Sequence, residues 1–279
     1  MSNSLYHYCS LDTFLKIVQS KEIRHTNIFC MSDSAEHFWL RKIAKGMVDR
    51  DPDSANSVNK FLAERLFSKE DQTDVYCFCL SESGDSLGQW RGYADDGRGV
   101  AIGFSRVFLR AAHKEYRLSG LRFESVIYEQ QRQESIVRHL IDKAKKRDVD
   151  TCKSSAPAEW MEQLPFWIAE SWIWYWAARC KNPFFSEERE WRLIYDASKD
   201  NASTLGQPKY RSCGDTIVPF YALPLEPLPI MGQLPVIEEV VLGPKCNQEF
   251  NEPMVKSILS GYGYNVNFLN VWRSSGTYR

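Results

Sequence analysis

Short runs of alternating apolar and polar residues occur along this chain, and several of them predict β-strands. Residues 5–9 form an aromatic strand pattern, residues 74–81 alternate and end in a polar loop after Ser81, and residues 99–104 form a small-residue strand pattern. Helical spacing of apolar residues appears over residues 11–18, directly after Ser10, a residue type that caps helices. The pattern therefore predicts a protein that mixes strands and helices.

Residues 187–195 combine acidic and aromatic side chains and are followed by turn formers at 196–201. This pattern predicts a strand that enters a core. Side chains of a strand alternate between its faces, which puts Glu188, Glu190 and Arg192 together on one face. Such a charged face lines a cleft or is solvated. The alternative is a first helical turn capped by Ser186, with Glu188 and Arg192 as an i,i+4 pair.

Two longer segments in the middle of the chain predict helices. Residues 130–149 are amphipathic, and residues 156–180 carry five of the nine tryptophans, Trp160, Trp167, Trp172, Trp174 and Trp176. A helix that is apolar on nearly every side belongs inside a protein. Because no repeat or low-complexity linker divides the chain, we expect a single α+β domain over residues 1–279. Its sheet is expected to be mixed and mainly antiparallel, with flanking helices and a tryptophan-rich helical insertion at 130–180.

Charge and cysteine usage narrow the functional classes. Lys and Arg number 35 and Asp and Glu 36, so no net charge attracts nucleic acid. The eight cysteines lack the tight spacing of zinc sites and disulfide frameworks, which predicts reduced thiols and a cytoplasmic protein. The start lacks a signal-peptide pattern, and the most apolar run, residues 166–178, is interrupted by Glu170 and too short to span a bilayer. No membrane association is expected.

Local motifs leave several residues open to two interpretations. No GxGxxG or P-loop pattern is present, although Trp90 and Tyr93 beside two strand ends could form a pocket wall. His7 is a candidate ligand-binding residue, and the alternative is a core histidine satisfied by backbone. Asp33 and Glu36 have the spacing of a capping box. A further helix is expected after Asp51-Pro52 and up to about Phe67.

In this order, the motifs resemble those of bacterial domain-of-unknown-function family 2971. The matching residues are Leu5 to Ser10, Met31-Ser-Asp33 with Glu36, Phe78 to Glu82, Trp90 with Tyr93-Ala-Asp95, Gly99 to Phe104, Lys181 with Glu188 to Arg192, and Arg273-Ser-Ser275 with Tyr278-Arg279. The chain departs from the usual pattern in having Ser32 in place of Asn and Cys9 in place of Thr. That family name implies a fold class but no activity.

A more distant resemblance suggests chemistry. An early strand with His7, a central strand ending at Ser81 and a late strand with Glu188-x-Glu190 resemble the three-part signature of ADP-ribosyltransferases of the His-Tyr-Glu type. The resemblance implies NAD as substrate, His7 holding a ribose, Glu190 as the catalytic carboxylate, and Glu188 orienting or deprotonating an acceptor. It implies a nucleotide pocket lined by His7, Tyr8, Ser81, Trp90, Tyr93 and Arg192. It implies no resident metal and leaves the macromolecular acceptor and the oligomeric state open.

The physical requirement of such a reaction is a carboxylate near the ribose, because the glycosidic bond breaks through an oxocarbenium-like state. A toxin or phage-defence role would follow from the resemblance. Two other classes remain open. Asp33, Glu36, Asp95, Glu188 and Glu190 could bind a divalent metal for phosphodiester hydrolysis. A non-enzymatic sensor or partner-binding module could instead retain a polar network of Asp33, Trp90, Asp95, Lys181, Glu190, Arg192 and Arg273.

Overall fold

The computed structural model describes residues 4–31, 36–52, 74–152, 175–232 and 234–278, with the backbone alone at 36, 37 and 147–152. Its strands are β1 Ser4–Cys9, β2 Glu22–Asn27, β3 Val75–Ser81, β4 Val100–Ser105, β5 Leu121–Ser125, β6 Glu190–Asp196, β7 Lys209–Cys213, β8 Thr216–Pro224, β9 Ile237–Leu242 and β10 Asn270–Arg273. Its α-helices are α1 Leu11–Ser20, α2 Glu36–Val48, α3 Leu87–Tyr93, α4 Arg106–Glu115, α5 Gln130–Cys152 and α6 Gln248–Gly261. The predicted mixed α and β fold class is confirmed.

The strands form one open ten-stranded sheet in the order β10-β9-β4-β1-β3-β2-β8-β7, with β6 joining β3 to β5. The β1 strand runs antiparallel to β4 along its full length, but it meets β3 through a single residue pair, Tyr6 with Ser81. The β10 strand is parallel to β9. The sheet is therefore mostly antiparallel, as predicted, and β3 pairs with both β1 and β6.

Residues of the chain group into two compact units. The first comprises Met1–Thr26, Tyr76–Ser125 and Glu187–Arg279 and contains nearly the whole sheet; the second comprises Asn27–Val75 and Val126–Ser186. The described residues of the segment predicted as an insertion, 130–152 and 175–180, lie in the second unit. The helix predicted after Asp51-Pro52 lies outside the described residues, as do four of the five tryptophans of that segment and Asp33.

In the first unit, side chains that alternate along each strand form an apolar layer on both sides of the sheet. One side holds the large core, to which β1, β3 and β6 contribute Leu5, Cys9, Phe78, Leu80, Leu193 and Tyr195. Helices α1, α4 and α6 pack on this side, and Ser10 caps α1, because its hydroxyl accepts a hydrogen bond from the backbone N–H of Thr13 at 3.2 Å. The other side holds a smaller cluster of Tyr6, Tyr8, Trp90, Ala94, Ala101 and Val241.

The second unit is organised by helices α2 and α5, whose apolar faces pack on each other. Gln133 of α5 is fully buried and satisfies its amide by accepting from Trp39 Nε1 at 2.9 Å and donating to the carbonyls of Ile127 and Lys181 at 2.6 and 2.8 Å. A buried amide with its bonds made is stable in a core. None of the helices described is long and apolar enough to cross a membrane.

Candidate functional site

The chain enters β6 through a sharp change of backbone direction at Arg189, which has a left-handed φ of 42°. Glu188 ends the 3-10 helix Pro183–Glu188, and the strand begins at Glu190, later than the predicted start at 187. A left-handed conformation costs a residue such as arginine about 1 kcal/mol. Because of this kink, Glu188 and Glu190 no longer follow one strand alternation: Glu188 is partly exposed and Glu190 is buried.

Glu190 forms a two-pronged ion pair with Arg192. Arg192 Nε donates to Glu190 Oε1 at 2.7 Å and Nη2 donates to Oε2 at 2.8 Å, and the two side chains are only 7% and 2% exposed. The sequence prediction that these two residues share a face of the strand is confirmed. Both carboxylate oxygens are bonded to the guanidinium, so the carboxylate is fixed in direction.

Glu188 is held from two sides. The buried hydroxyl of Ser81, at the end of β3, donates to the Glu188 carbonyl oxygen at 2.7 Å and accepts from the backbone N–H of Ser83 at 3.2 Å. The hydroxyl of Tyr93, on α3, donates to the Glu188 carboxylate at 3.2 Å. The backbone of Glu188 is therefore fixed to the sheet, and its carboxylate contacts a partly exposed phenol.

Tyr8 and Trp90 continue the contacts that join Ser81, Glu188 and Tyr93, because Tyr8 reaches Ser81 through the backbone of Ser83. Tyr8 donates its hydroxyl to the Ser83 carbonyl at 2.8 Å, and its ring meets the Trp90 ring edge-on at 4.7 Å between centroids. Trp90 and Tyr93 are one turn apart on α3. Burial raises the pKa of Tyr8 far above its ordinary value, so the group is a neutral donor at physiological pH. We call these five residues the Glu188 ring.

Asp85, in the loop before α3, fixes one side of the Glu188 ring. Its carboxylate accepts from Trp90 Nε1 at 2.7 Å, from the Ser274 hydroxyl at 2.6 Å, and from the Ser275 N–H and hydroxyl at 2.9 and 3.0 Å. Burial raises the pKa of this carboxyl, but the four hydrogen bonds together outweigh burial and lower it. Sequence reasoning missed Asp85 because two of its partners, Ser274 and Ser275, are remote in the chain.

His7 lies on the other side of β1. Its ring stacks on Phe78 at 4.4 Å, and Nδ1 is 2.9 Å from the Cys79 carbonyl oxygen. Since a carbonyl only accepts, Nδ1 carries the proton and Nε2 is the basic nitrogen. Burial lowers the pKa of His7 and the nearby Arg211 adds to this, against the raising effect of the Cys79 carbonyl, which leaves the imidazole neutral near pH 7.

The predicted site residues thus fall into three groups. Tyr8, Ser81, Trp90, Tyr93 and Glu188 meet in the Glu188 ring. Glu190 and Arg192 form a buried pair on the side of β6 that faces away from Leu193, a member of the large core. His7 contacts Phe78, another member of that core, so the structure places it and Glu190 on different sides of their strands. The described residues include no group of three or more His, Cys, Asp or Glu that could hold a metal.

Comparison with known proteins identifies one family. Residues 89–193, from within α3 to within β6, match the family described as "Protein of unknown function (DUF2971)". No curated protein and no solved structure matches the chain. The matched segment is less than half of the chain and includes Trp90, Tyr93, Glu188, Glu190 and Arg192. For that segment, the resemblance to the family of unknown function is confirmed.

Proposed function

We propose that this protein cleaves the nicotinamide–ribose bond of NAD and transfers ADP-ribose to an acceptor or to water. The observation that carries the proposal is the Glu188 ring, in which four residues predicted to line the nucleotide pocket are linked, directly or through Ser83 and α3, to Glu188, whose partly exposed carboxylate accepts from the Tyr93 hydroxyl. Tyr93 supplies an exposed phenol hydroxyl beside that carboxylate, and the buried Tyr8, Ser81 and Trp90 hold the strand ends and α3 in place around it. A ligand with ribose hydroxyls can hydrogen-bond to such a phenol and carboxylate.

The reaction requires few groups. The bond between ribose C1′ and the nicotinamide nitrogen breaks, and nicotinamide leaves neutral with the bonding electron pair. The ribose then carries positive charge, which a nearby carboxylate stabilises more in the transition state than in the substrate. The acceptor oxygen or nitrogen forms a bond to C1′ and loses its proton to a carboxylate of the Glu188-x-Glu190 stretch.

Nicotinamide release from NAD tests this function directly. Purified protein is incubated with NAD, with and without candidate acceptors, and nicotinamide is quantified by chromatography. We expect nicotinamide to accumulate in step with NAD loss, equally with and without a chelator. The control is a Tyr8→Phe/Tyr93→Phe double variant, which removes the two phenol hydroxyls and is expected to be slower. No nicotinamide release above the buffer blank would refute the proposal.

A non-enzymatic binding module is the second candidate, because a specific observation favours it. The Glu190–Arg192 pair is buried and doubly hydrogen-bonded, which is the form of a structural ion pair. Asp85 likewise binds the remote Ser274 and Ser275. If disrupting these contacts lowers the melting temperature and the wild-type protein never consumes NAD, the polar network serves the fold and a partner surface.

The remaining parts of the proposal concern its setting. The cysteines whose side chains the structure describes form no disulfide, which fits the cytoplasm, where NAD is available. Consumption of NAD or modification of a macromolecule would suit a toxin or phage-defence effector. Expression from an inducible promoter should then slow growth and lower cellular NAD, and the double phenol variant should do so less.

A further inference from the structure

Two arginines of the first unit lie on the same face of the sheet. Arg24 is in β2 and Arg211 is in β7, and β8 lies between these strands. Phe220 of β8 is directly opposite Thr26 of β2, and the alternation of the three strands brings both arginines to the face that carries Phe220. This face is turned away from the large core, to which the neighbouring Ile23 belongs.

Both guanidinium groups reach the Thr26–Phe220 pair. The guanidinium carbon of Arg24 lies 5.0 Å from the centre of the Phe220 ring, and Arg211 Nη2 donates to the Thr26 hydroxyl at 3.3 Å. Among the residues that the structure describes, neither arginine pairs with a carboxylate. Two like charges that converge on one residue pair repel each other, and an anion between them would remove that repulsion.

The rest of this face does not compensate the two arginines. Glu22 lies on it, but its carboxylate accepts from Lys209 Nζ at 2.6 Å and so compensates that lysine. Arg211 Nε is buried, and within the described part of the chain it has no hydrogen-bond acceptor. A buried N–H of a charged group is unfavourable without an acceptor, because nothing offsets its desolvation. An oxyanion is the acceptor that a guanidinium binds best.

We infer that Arg24, Arg211 and Thr26 form a binding site for a phosphate group. This inference goes beyond the proposed function, because it does not require that NAD is cleaved. A phosphate dianion matches the two guanidinium charges, and its oxygens can accept from Arg211 Nε, from Arg24 and from the Thr26 hydroxyl proton. Both arginines are partly exposed, so a ligand can reach them from solvent. The phosphate group can belong to a nucleotide or be inorganic phosphate.

Calorimetric titration with inorganic phosphate at constant ionic strength tests the site. The wild-type protein should bind phosphate saturably at a single site, and acetate, with one charge, should bind much more weakly. Arg24→Gln and Arg211→Gln should each weaken phosphate binding by roughly tenfold or more. Lys209→Gln is the matched control, because it removes the same charge from the same strand and face as Arg211→Gln, and it should bind phosphate like the wild type.

Titration with adenosine monophosphate distinguishes the two sources of the phosphate group. Adenosine monophosphate that binds more tightly than inorganic phosphate, and loses this binding in Arg24→Gln, supports the site and assigns it to a nucleotide. Inorganic phosphate that binds at least as tightly supports the site and assigns it to free phosphate. Melting temperatures without ligand check the fold of each variant, and if Arg211→Gln does not fold, Arg24→Gln and Thr26→Val decide.

Three results would overturn the inference. They are wild-type binding of phosphate no tighter than that of acetate, unchanged phosphate binding in the folded arginine variants, and an equal loss of binding in Lys209→Gln, which would indicate a general effect of charge. The test is independent of the proposed function, because no NAD is added. A protein that binds phosphate through these arginines but releases no nicotinamide from NAD retains the site and refutes the proposed function alone.

Discussion

His25 shows how one buried side chain contributes to the response of this protein to acid. It lies in β2 with its imidazole fully buried, between the rings of Phe78 and Tyr195 at 6.3 and 6.5 Å. Neither ring nitrogen has a hydrogen bond of good geometry, and the Tyr221 backbone favours the charged form only weakly. Burial therefore lowers the pKa of His25 to about 4.

We predict that this residue destabilises the fold at acidic pH values that are still above those at which carboxylates take up protons. The unfolded chain takes up the proton near pH 6.5, and the folded chain does so only near pH 4. The contribution of His25 to the free energy of unfolding is therefore fully present above about pH 6.5. It falls by on the order of 3 kcal/mol as the pH drops towards 4. Urea unfolding at several pH values should show this slope in wild type and in the control His139→Gln, an exposed histidine, and a shallower slope in His25→Phe, in which the buried His7 still contributes. An unchanged slope in His25→Phe would contradict the prediction.

Alanine substitutions at two glycines, Gly99 and Gly92, are expected to have opposite effects on stability. A Cβ on Gly99 would overlap the Cys9 carbonyl oxygen, which is backbone and cannot move aside, whereas a Cβ on Gly92 would meet nothing within 4 Å. Gly99→Ala should therefore cost about 1–3 kcal/mol. Gly92→Ala, inside helix α3, should stabilise by about 0.5–1 kcal/mol. Denaturant titration of both variants checks the pair, and equal effects would show that backbone proximity at Gly99 is not limiting.

Among the elements, those with local signals were predictable from sequence. β1 and α1 follow from an aromatic alternation, a capping serine and helical spacing, and the structure has them at Ser4–Cys9 and Leu11–Ser20. β6 was predicted three residues too early. Nothing in the sequence marks Arg189 as left-handed, because arginine rarely adopts that conformation and the tertiary contacts of Glu188 and Glu82 impose it.

The sequence predicted which residues belong to the candidate site better than it predicted how they are arranged. Tyr8, Ser81, Trp90, Tyr93 and Glu188 were all named from strand ends and from a family resemblance. The division between Glu188 and Glu190 was not, since an ideal strand puts both on one face. Asp85 had no sequence signal at all, because the hydroxyl of Ser274 comes from 189 residues later in the chain.

At the scale of the whole molecule, the last described residues bind the loops on both sides of α3. After β10, the chain binds Asp85 through Ser274 and Ser275, and the Tyr278 hydroxyl donates to Asp96 at 2.7 Å. Lys245 pairs with the same Asp96 at 2.7 Å and lies 4.0 Å above the Tyr278 ring. These contacts join residues near the end of the chain to the loops on both sides of α3, and Asp85 passes the restraint to Trp90.

This arrangement predicts that deleting residues 274–279 loosens α3 as well as lowering stability. Asp85 would lose three of its four donors and Asp96 one, which should cost about 2–4 kcal/mol. Hydrogen exchange should then show faster exchange of the α3 amides, with amides of α5 in the second unit unchanged. Asp85→Asn should reproduce much of the effect, because a neutral amide is a weaker acceptor for those donors. Thr277→Ala, in the same segment, is the control and should match wild type. Unaltered α3 protection in the truncated protein would mean that Trp90 and Tyr93 are held by the sheet alone, and that the end of the chain has no part in forming the Glu188 ring.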